Sequence, residues 1–108
     1  MQIGVLGAGT WGCALANLLV ENGQAVTVWS ALPDEVRFLQ ENQRHPKMQD
    51  PLSAEIVFTN ELQTAFDGAE VIVMAVPSVY VKDVLDKAGR FYTGQHLVSV
   101  VKGIDEIG

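Results

Sequence analysis

The amino-acid sequence predicts an α/β fold in which a doubly wound parallel sheet carries helices on both faces. Three observations lead there. Short β-rich runs alternate with stretches of helical periodicity along the whole chain. One run, Glu70 to Val76, is almost continuously apolar, as a parallel strand covered on both faces requires. A glycine-rich segment, Gly7-Ala8-Gly9-Thr10-Trp11-Gly12, sits where the first strand should turn into the first helix.

Each element has its own local reason. Gln2 to Leu6 reads as a strand. Thr10 to Glu21 follows as a helix, with Leu15, Leu18 and Leu19 at helical spacing and Gly23 beyond them as a stop. Ala25 to Trp29 is the second strand. Pro33 to Asn42 is a helix, because an early proline is pre-set for it, Asp34 and Glu35 suit the positive end of its dipole, and Val36 and Leu39 share a face. The polar stretch from Gln43 to Ala54, with Pro46 and Pro51, reads as a loop, and Glu55 to Phe58 as a short strand. Asn60 to Gln63 has capping-box spacing and should open a brief helix ending near Asp67-Gly68. After the apolar strand, Val79 to Ala88 is a helix closed by Gly89, and His96 to Val101 is the last strand.

Composition narrows the class of protein. The 108 residues suit one domain, 1–108, with no internal repeat or linker, and a 48% hydrophobic, 19% charged chain should fold around a core. Thirteen acids against seven bases give a net charge of −6, which disfavours nucleic acid and anionic membrane surfaces as partners. With Cys13 as its single cysteine, the chain has no internal disulfide and no Cys-rich zinc site, and no metal is expected. The apolar runs are short and no cationic leader precedes one, so neither export nor a membrane span is indicated and a cytoplasmic location is expected.

A doubly wound sheet places its ligand crevice outside the carboxyl ends of its strands, so the residues at those ends are the candidates. In the glycine segment, Gly7 permits the tight turn, Gly9 lets backbone approach a pyrophosphate, and Gly12 allows close packing of the helix. The N–H groups around Thr10, Trp11 and Gly12, with the positive helix end, favour an anion, and the motif points to dinucleotide binding. No Gly-Lys-Ser/Thr follows, so this is not a P-loop. Trp11 has two readings, flanking a cofactor or capping the core. After the second strand come Ser30, Ala31 and Leu32, with neither the acid that would bind a ribose 2′-hydroxyl nor an adjacent arginine, which leaves the choice between NAD and NADP open.

Two further strand ends share that edge. Pro77 stops the fourth strand and Ser78 is placed to cap the next helix, or the pair lines the nicotinamide side. Lys102, followed by Gly103, could meet an anionic substrate, although position alone fits a solvated lysine as well. His45 lacks a partner carboxylate or nucleophile nearby in sequence and reads as a loop residue, and Cys13 as a small core residue.

Several of these segments together resemble the coenzyme-binding domain of NAD(P)-dependent glycerol-3-phosphate dehydrogenase. They are Gly7 to Gly12 with Ala14-Leu15-Ala16, then Val26-Thr27-Val28-Trp29, Asn42 to Lys47, Ala75-Val76-Pro77-Ser78, and Val101-Lys102-Gly103-Ile104-Asp105-Glu106. The resemblance covers essentially the whole chain. It implies a Rossmann-type fold and reversible hydride transfer between NAD(P)H and dihydroxyacetone phosphate, giving sn-glycerol 3-phosphate for phospholipid synthesis. It implies a cofactor site of Gly7, Gly9, Thr10, Trp11, Gly12, Ser30, Ala31, Pro77 and Lys102. Within that site Thr10 and Trp11 would contact the phosphates, Ala31 would lie near the adenosine ribose, and Lys102 would meet substrate and nicotinamide together. A homodimeric full-length enzyme is compatible with it.

The chain departs from that family twice. Ala31 and Leu32 stand where bacterial members often carry a basic residue or histidine, and Met48-Gln49-Asp50-Pro51 replaces the usual Tyr-Leu-Pro-Gly. The resemblance also places the general-base lysine in a helical C-terminal domain, so the 108 residues read as part of a longer enzyme with no catalytic residue of their own. Two alternatives stand beside this reading: another hydroxyacid dehydrogenase such as ketopantoate reductase, and a non-catalytic NAD(H)-sensing module.

Overall fold

Strand pairing in the computed structural model, which describes residues 1–47 and 51–99, follows the alternation of apolar side chains. The strands are β1 (Gln2–Leu6), β2 (Ala25–Trp29), β3 (Val57–Thr59), β4 (Val71–Met74) and β5 (His96–Ser99). They form one parallel sheet in the order β3-β2-β1-β4-β5. Leu6 lies opposite Trp29 and Met74, Trp29 opposite Thr59, and Met74 opposite Ser99, so all five carboxyl ends reach one rim.

A period of two sends alternate residues to opposite faces. Ile3, Val5, Val26, Val28 and Val73 meet one layer, built on helices α1 (Thr10–Glu21) and α2 (Pro33–Asn42) through Cys13, Ala16, Val36 and Leu39. Leu6, Trp29, Ile72 and Met74 meet the other, where α3 (Leu62–Phe66) contributes Ala65 and Phe66, and α4 (Ser78–Ala88) contributes Val84 and Ala88. Burying a side chain such as Leu39 or Ile72 stabilises the fold by roughly 1.5–3 kcal/mol each. Helices on both faces of the sheet make the doubly wound arrangement expected, with the central strands buried and His96–Ser99 of β5 exposed among the described residues.

Local departures from the expected elements have physical causes. The leucine spacing on α1 is only the flank of its buried stripe: Gly12, Cys13 and Ala16 are buried against the sheet, Leu15 and Leu19 pack half-buried against the same core, and Leu18 is 55% exposed. Small residues let this helix lie close to the strands, where leucines would hold it off. The third strand is Val57–Thr59 rather than Glu55 to Phe58, because Ile56 turns into the core and pairing with β2 starts at Val57. The capping box at Asn60 does not form; Glu61 is the cap residue of α3, with no side-chain cap, and Thr59 Oγ1 accepts the Glu61 N–H at 3.0 Å. β4 is shorter than Glu70 to Val76, since the ladder with β1 ends as Ala75 and Val76 enter a loop.

Pro77, not Ser78, is the cap residue of α4, and Ser78 is its first helical residue. Gly89 closes α4 as expected, in a right-handed conformation, and opens a 3₁₀ turn, Gly89–Phe91. By contrast Gly23, at φ 88°, follows the Asn22 cap of α1 as a left-handed stop. The loop after α2 is less polar than its composition, for Leu52 is buried, and the Ser53 N–H donates to Asn17 Oδ1 on α1 at 2.8 Å. The last two residues of the strand expected over His96 to Val101, and residues 48–50, fall outside the described residues.

One constraint in the sheet is absent from the hydrophobic pattern. Gly4, in the middle of β1, faces α3, and a Cβ there would run into the Ala65 carbonyl oxygen and stand 2.8 Å from Ile72 Cδ1. Gly4→Ala should therefore destabilise the fold by about 1–3 kcal/mol, read as a lower urea midpoint at unchanged slope.

Candidate functional site

The sheet order creates a switch point. From β1 the chain winds outward through β2 and β3, then crosses to β4 on the other side of β1. Loops leaving β1 and β4 diverge there, and the crevice they open is where such sheets take ligands.

Backbone contact closes the floor of this crevice. The Gly7 N–H donates to the Trp29 carbonyl at 2.8 Å, and the Ala75 N–H to the Leu6 carbonyl at 2.8 Å, so one backbone bond past each ladder ties the first loop residue to the neighbouring strand end. Gly7 has φ 128°, and a Cβ on it would stand 2.7 Å from Ala75 C and 2.8 Å from Val76 N. A Cβ on Gly12 would strike the Gly7 carbonyl oxygen. Neither position has room for a side chain. Gly9 is the opposite case: a Cβ there would meet nothing within 4 Å. Open space lies above this glycine while its two neighbours in the motif are pressed against backbone.

That space faces a helix start. The first intrahelical bond of α1 runs from the Cys13 N–H to the Gly9 carbonyl at 2.9 Å, leaving the N–H groups of Thr10, Trp11 and Gly12 without acceptors inside the helix. No side chain caps this end and no acid lies in its first turn, so its partial positive charge is available to an anion. A cradle that side chains would fill, with unused donors at its edge, fits a pyrophosphate.

The rim around this anion site is apolar. Trp11 is 49% exposed: it lies at the surface of the first turn and does not cap the core. Ala31, Leu32 and Pro77 are exposed on the neighbouring loops, and Val79 and Tyr80 on the first turn of α4. Ser30 is buried; its N–H donates to the Thr59 carbonyl at 3.0 Å and its Oγ to Glu35 Oε1 at 2.5 Å. A cleft of about 580 Å³ begins beside Ala31 and is lined further by Trp29, Asn60, Leu62, Arg90 and Phe91. The structure thus gathers Gly7, Gly9, Thr10, Trp11, Gly12, Ser30, Ala31 and Pro77 on one rim. Lys102 lies outside the described residues; β5 brings Ser99 to the same rim, opposite Met74.

Two titratable groups nearby are structural. Cys13 is fully buried with its thiol donating to the Ala8 carbonyl at 3.3 Å; burial, aided by the Glu35 charge, pushes its pKa from 9.0 up to about 12. His45 is buried in the loop after α2, where desolvation lowers its pKa, opposed by the Glu35 charge and assisted by Lys47. Its Nδ1 accepts the Lys47 N–H at 3.1 Å. Among the described residues no group of three or more His, Cys, Asp or Glu could hold a metal, and no helix is long and apolar enough to cross a membrane.

A switch-point crevice with a glycine turn against a helix start defines a dinucleotide-binding domain of the Rossmann type. Comparison with known proteins makes this particular. Residues 2–108 match the family model described as NAD-dependent glycerol-3-phosphate dehydrogenase N-terminus, and the chain belongs to that family. It is 46% identical over 106 residues to glycerol-3-phosphate dehydrogenase [NAD(P)+] 2 of Lactobacillus delbrueckii subsp. bulgaricus, covering 96% of this chain and 32% of that protein. A second relative, glycerol-3-phosphate dehydrogenase [NAD(P)+] of Agathobacter rectalis, is 36% identical over 110 residues, covering 97% of this chain and 32% of its own. Among solved structures, glycerol-3-phosphate dehydrogenase from Coxiella burnetii superposes with a TM-score of 0.84 at 26% identity, over 98% of this chain and 36% of that one. The chain spans about a third of the length of the curated relatives it matches.

The buried thiol gives a direct test of this packing. Cys13 should resist a thiol reagent at pH 8 in the native protein and react only in denaturant. Because its folded pKa lies above its unfolded one, the unfolded state loses the proton first. Its contribution to stability is therefore complete below pH 9.0 and is lost as pH rises toward about 12. Cys13→Ala should flatten that part of the decline, measured by urea unfolding across the alkaline range.

Proposed function

We propose that this chain is the coenzyme-binding domain of a glycerol-3-phosphate dehydrogenase that interconverts dihydroxyacetone phosphate and sn-glycerol 3-phosphate with NAD(P)H. The observation that carries the coenzyme part of the reading is the contrast within the glycine turn, where Gly7 and Gly12 have no room for a side chain and Gly9 opens onto free space beside unused helix donors, while the substrate part rests on the family match. Family membership sets aside the ketopantoate reductase alternative.

The coenzyme supplies a hydride equivalent to the substrate carbonyl carbon, and the alkoxide oxygen takes a proton. The chain's own residues have narrower tasks. The N–H groups of Thr10, Trp11 and Gly12 bind the pyrophosphate, Ser30 and Ala31 border the adenosine ribose, and the cleft beside Ala31 receives the adenine end. Pro77 and the exposed first turn of α4 border the route toward the nicotinamide. Lys102 binds the anionic substrate next to the nicotinamide. The proton-transferring lysine is assigned to the part of the longer relatives beyond this domain. Residues 1–108 alone would then bind coenzyme weakly and turn over no substrate, because holding both reactants in line needs both walls of the cleft.

Gly9→Ala separates binding from folding. With free space around the new methyl, stability should change by less than about 1 kcal/mol, while NADH binding weakens about tenfold or more because the methyl enters the anion's space. Gly12→Ala should lower both. Fluorescence titration with NADH, alongside thermal melting, reads the two effects, and unaltered NADH affinity in Gly9→Ala would refute the site. In the intact protein, dihydroxyacetone phosphate should drive NADH oxidation, and Lys102→Ala should raise the substrate KM at least about tenfold, the loss expected of a charged contact. Coenzyme binding without any such turnover would instead identify a sensor.

A further inference from the structure

The acid that would read a ribose hydroxyl is missing from the end of β2, where Ala31 and Leu32 stand, yet the fold brings one back to that place. Glu35 belongs to the first turn of α2, and its Oε1 accepts the Ser30 hydroxyl at 2.5 Å. Ser30 immediately follows β2, is 4% exposed, and is pinned at both ends: its N–H donates to the Thr59 carbonyl at 3.0 Å and its Oγ accepts the Leu32 N–H at 3.1 Å. An ordered serine therefore holds the carboxylate at the carboxyl end of β2, one strand from the glycine turn.

We infer that Glu35, positioned by Ser30, selects a dinucleotide with a free ribose 2′-hydroxyl over one carrying a 2′-phosphate, that is, NAD(H) over NADP(H). The inference rests on the coenzyme reading above. An ionised carboxylate only accepts hydrogen bonds, so a hydroxyl donor satisfies it, whereas a phosphate dianion brings like charge into a half-buried place. Ala31 and Leu32 themselves supply no cation at the strand end; Lys87 and Arg90, which line the cleft beside Ala31, belong to α4 and the turn after it, on the face of the sheet opposite α2.

The test is paired titration of the intact protein with NADH and with NADPH, read by tryptophan fluorescence. The wild type should bind NADH about tenfold or more tighter than NADPH, as like-charge repulsion at short range requires. Glu35→Gln keeps an acceptor oxygen for Ser30 and removes the charge; it should tighten NADPH binding and bring the ratio at least about fivefold closer to one. Ser30→Ala, which keeps the charge and releases its tether, should narrow the ratio by less. Equal affinities in the wild type, or a ratio unmoved by Glu35→Gln in a protein that melts like wild type, would overturn the selection while leaving coenzyme binding intact. A ratio unmoved by Ser30→Ala would overturn the positioning role. Failure of both coenzymes to bind would overturn the proposed function, and the selection with it.

Discussion

The contact of backbone on backbone at the switch point governs this structure. Gly7 lies against the Ala75–Val76 peptide, and Gly12 against the Gly7 carbonyl. Three segments that are distant in sequence, the end of β1, the end of β4 and the start of α1, are thereby held closer than any side chain would permit. Such a junction cannot relax by rotamer changes, because no rotamers exist there. The start of α1 is consequently located relative to two strand ends, and the donors it exposes point to a single place. Sites built on regular elements are held more tightly than sites on loops, and here the loop is short enough to inherit the rigidity of both.

The two core layers support that junction from opposite sides. On one, α1 and α2 cover β1 and β2 through Cys13, Ala16, Val36 and Leu39; on the other, α3 and α4 cover the same sheet through Phe66, Val84 and Ala88. The rim above is divided by chemistry. Its centre offers peptide donors and a helix dipole, while Trp11, Leu32, Val79 and Tyr80 around it offer uncovered apolar surface. A molecule of flat rings joined by phosphates satisfies both parts at once, and a simple inorganic anion only the centre.

The sheet and its glycine turn were legible in the sequence because each has a short-range signature. The alternation in β1 and β2, the apolar run in β4 and the glycine spacing are all local. What was not legible depends on contacts between distant segments. The capping-box spacing at Asn60 is genuine, yet pairing of β3 with β2 fixes the backbone so that Glu61 takes the cap position. The leucines of α1 repeat with helical period and two of them, Leu15 and Leu19, flank the core, but the centre of the face that meets the sheet is set by how closely the helix must approach, and there small residues win. Glu35 read as a helix-dipole residue, and only the fold shows that its carboxylate returns to Ser30 five positions earlier. The lysine at 102 rests on family resemblance, since position after a strand does not distinguish a ligand contact from a solvated charge.

The small-residue face of α1 has a consequence for how such a domain is tuned. Ala16 and Cys13 act as a shim whose thickness sets the height of the helix above the sheet, and with it the distance from the dipole's positive pole to whatever rests in the cradle. Added bulk at Ala16, a full turn from Gly12 and away from any ligand, would tilt the helix and retract its donors by fractions of an ångström. Affinity for an anion can thus be graded from beneath the floor, with the recognition surface itself left untouched.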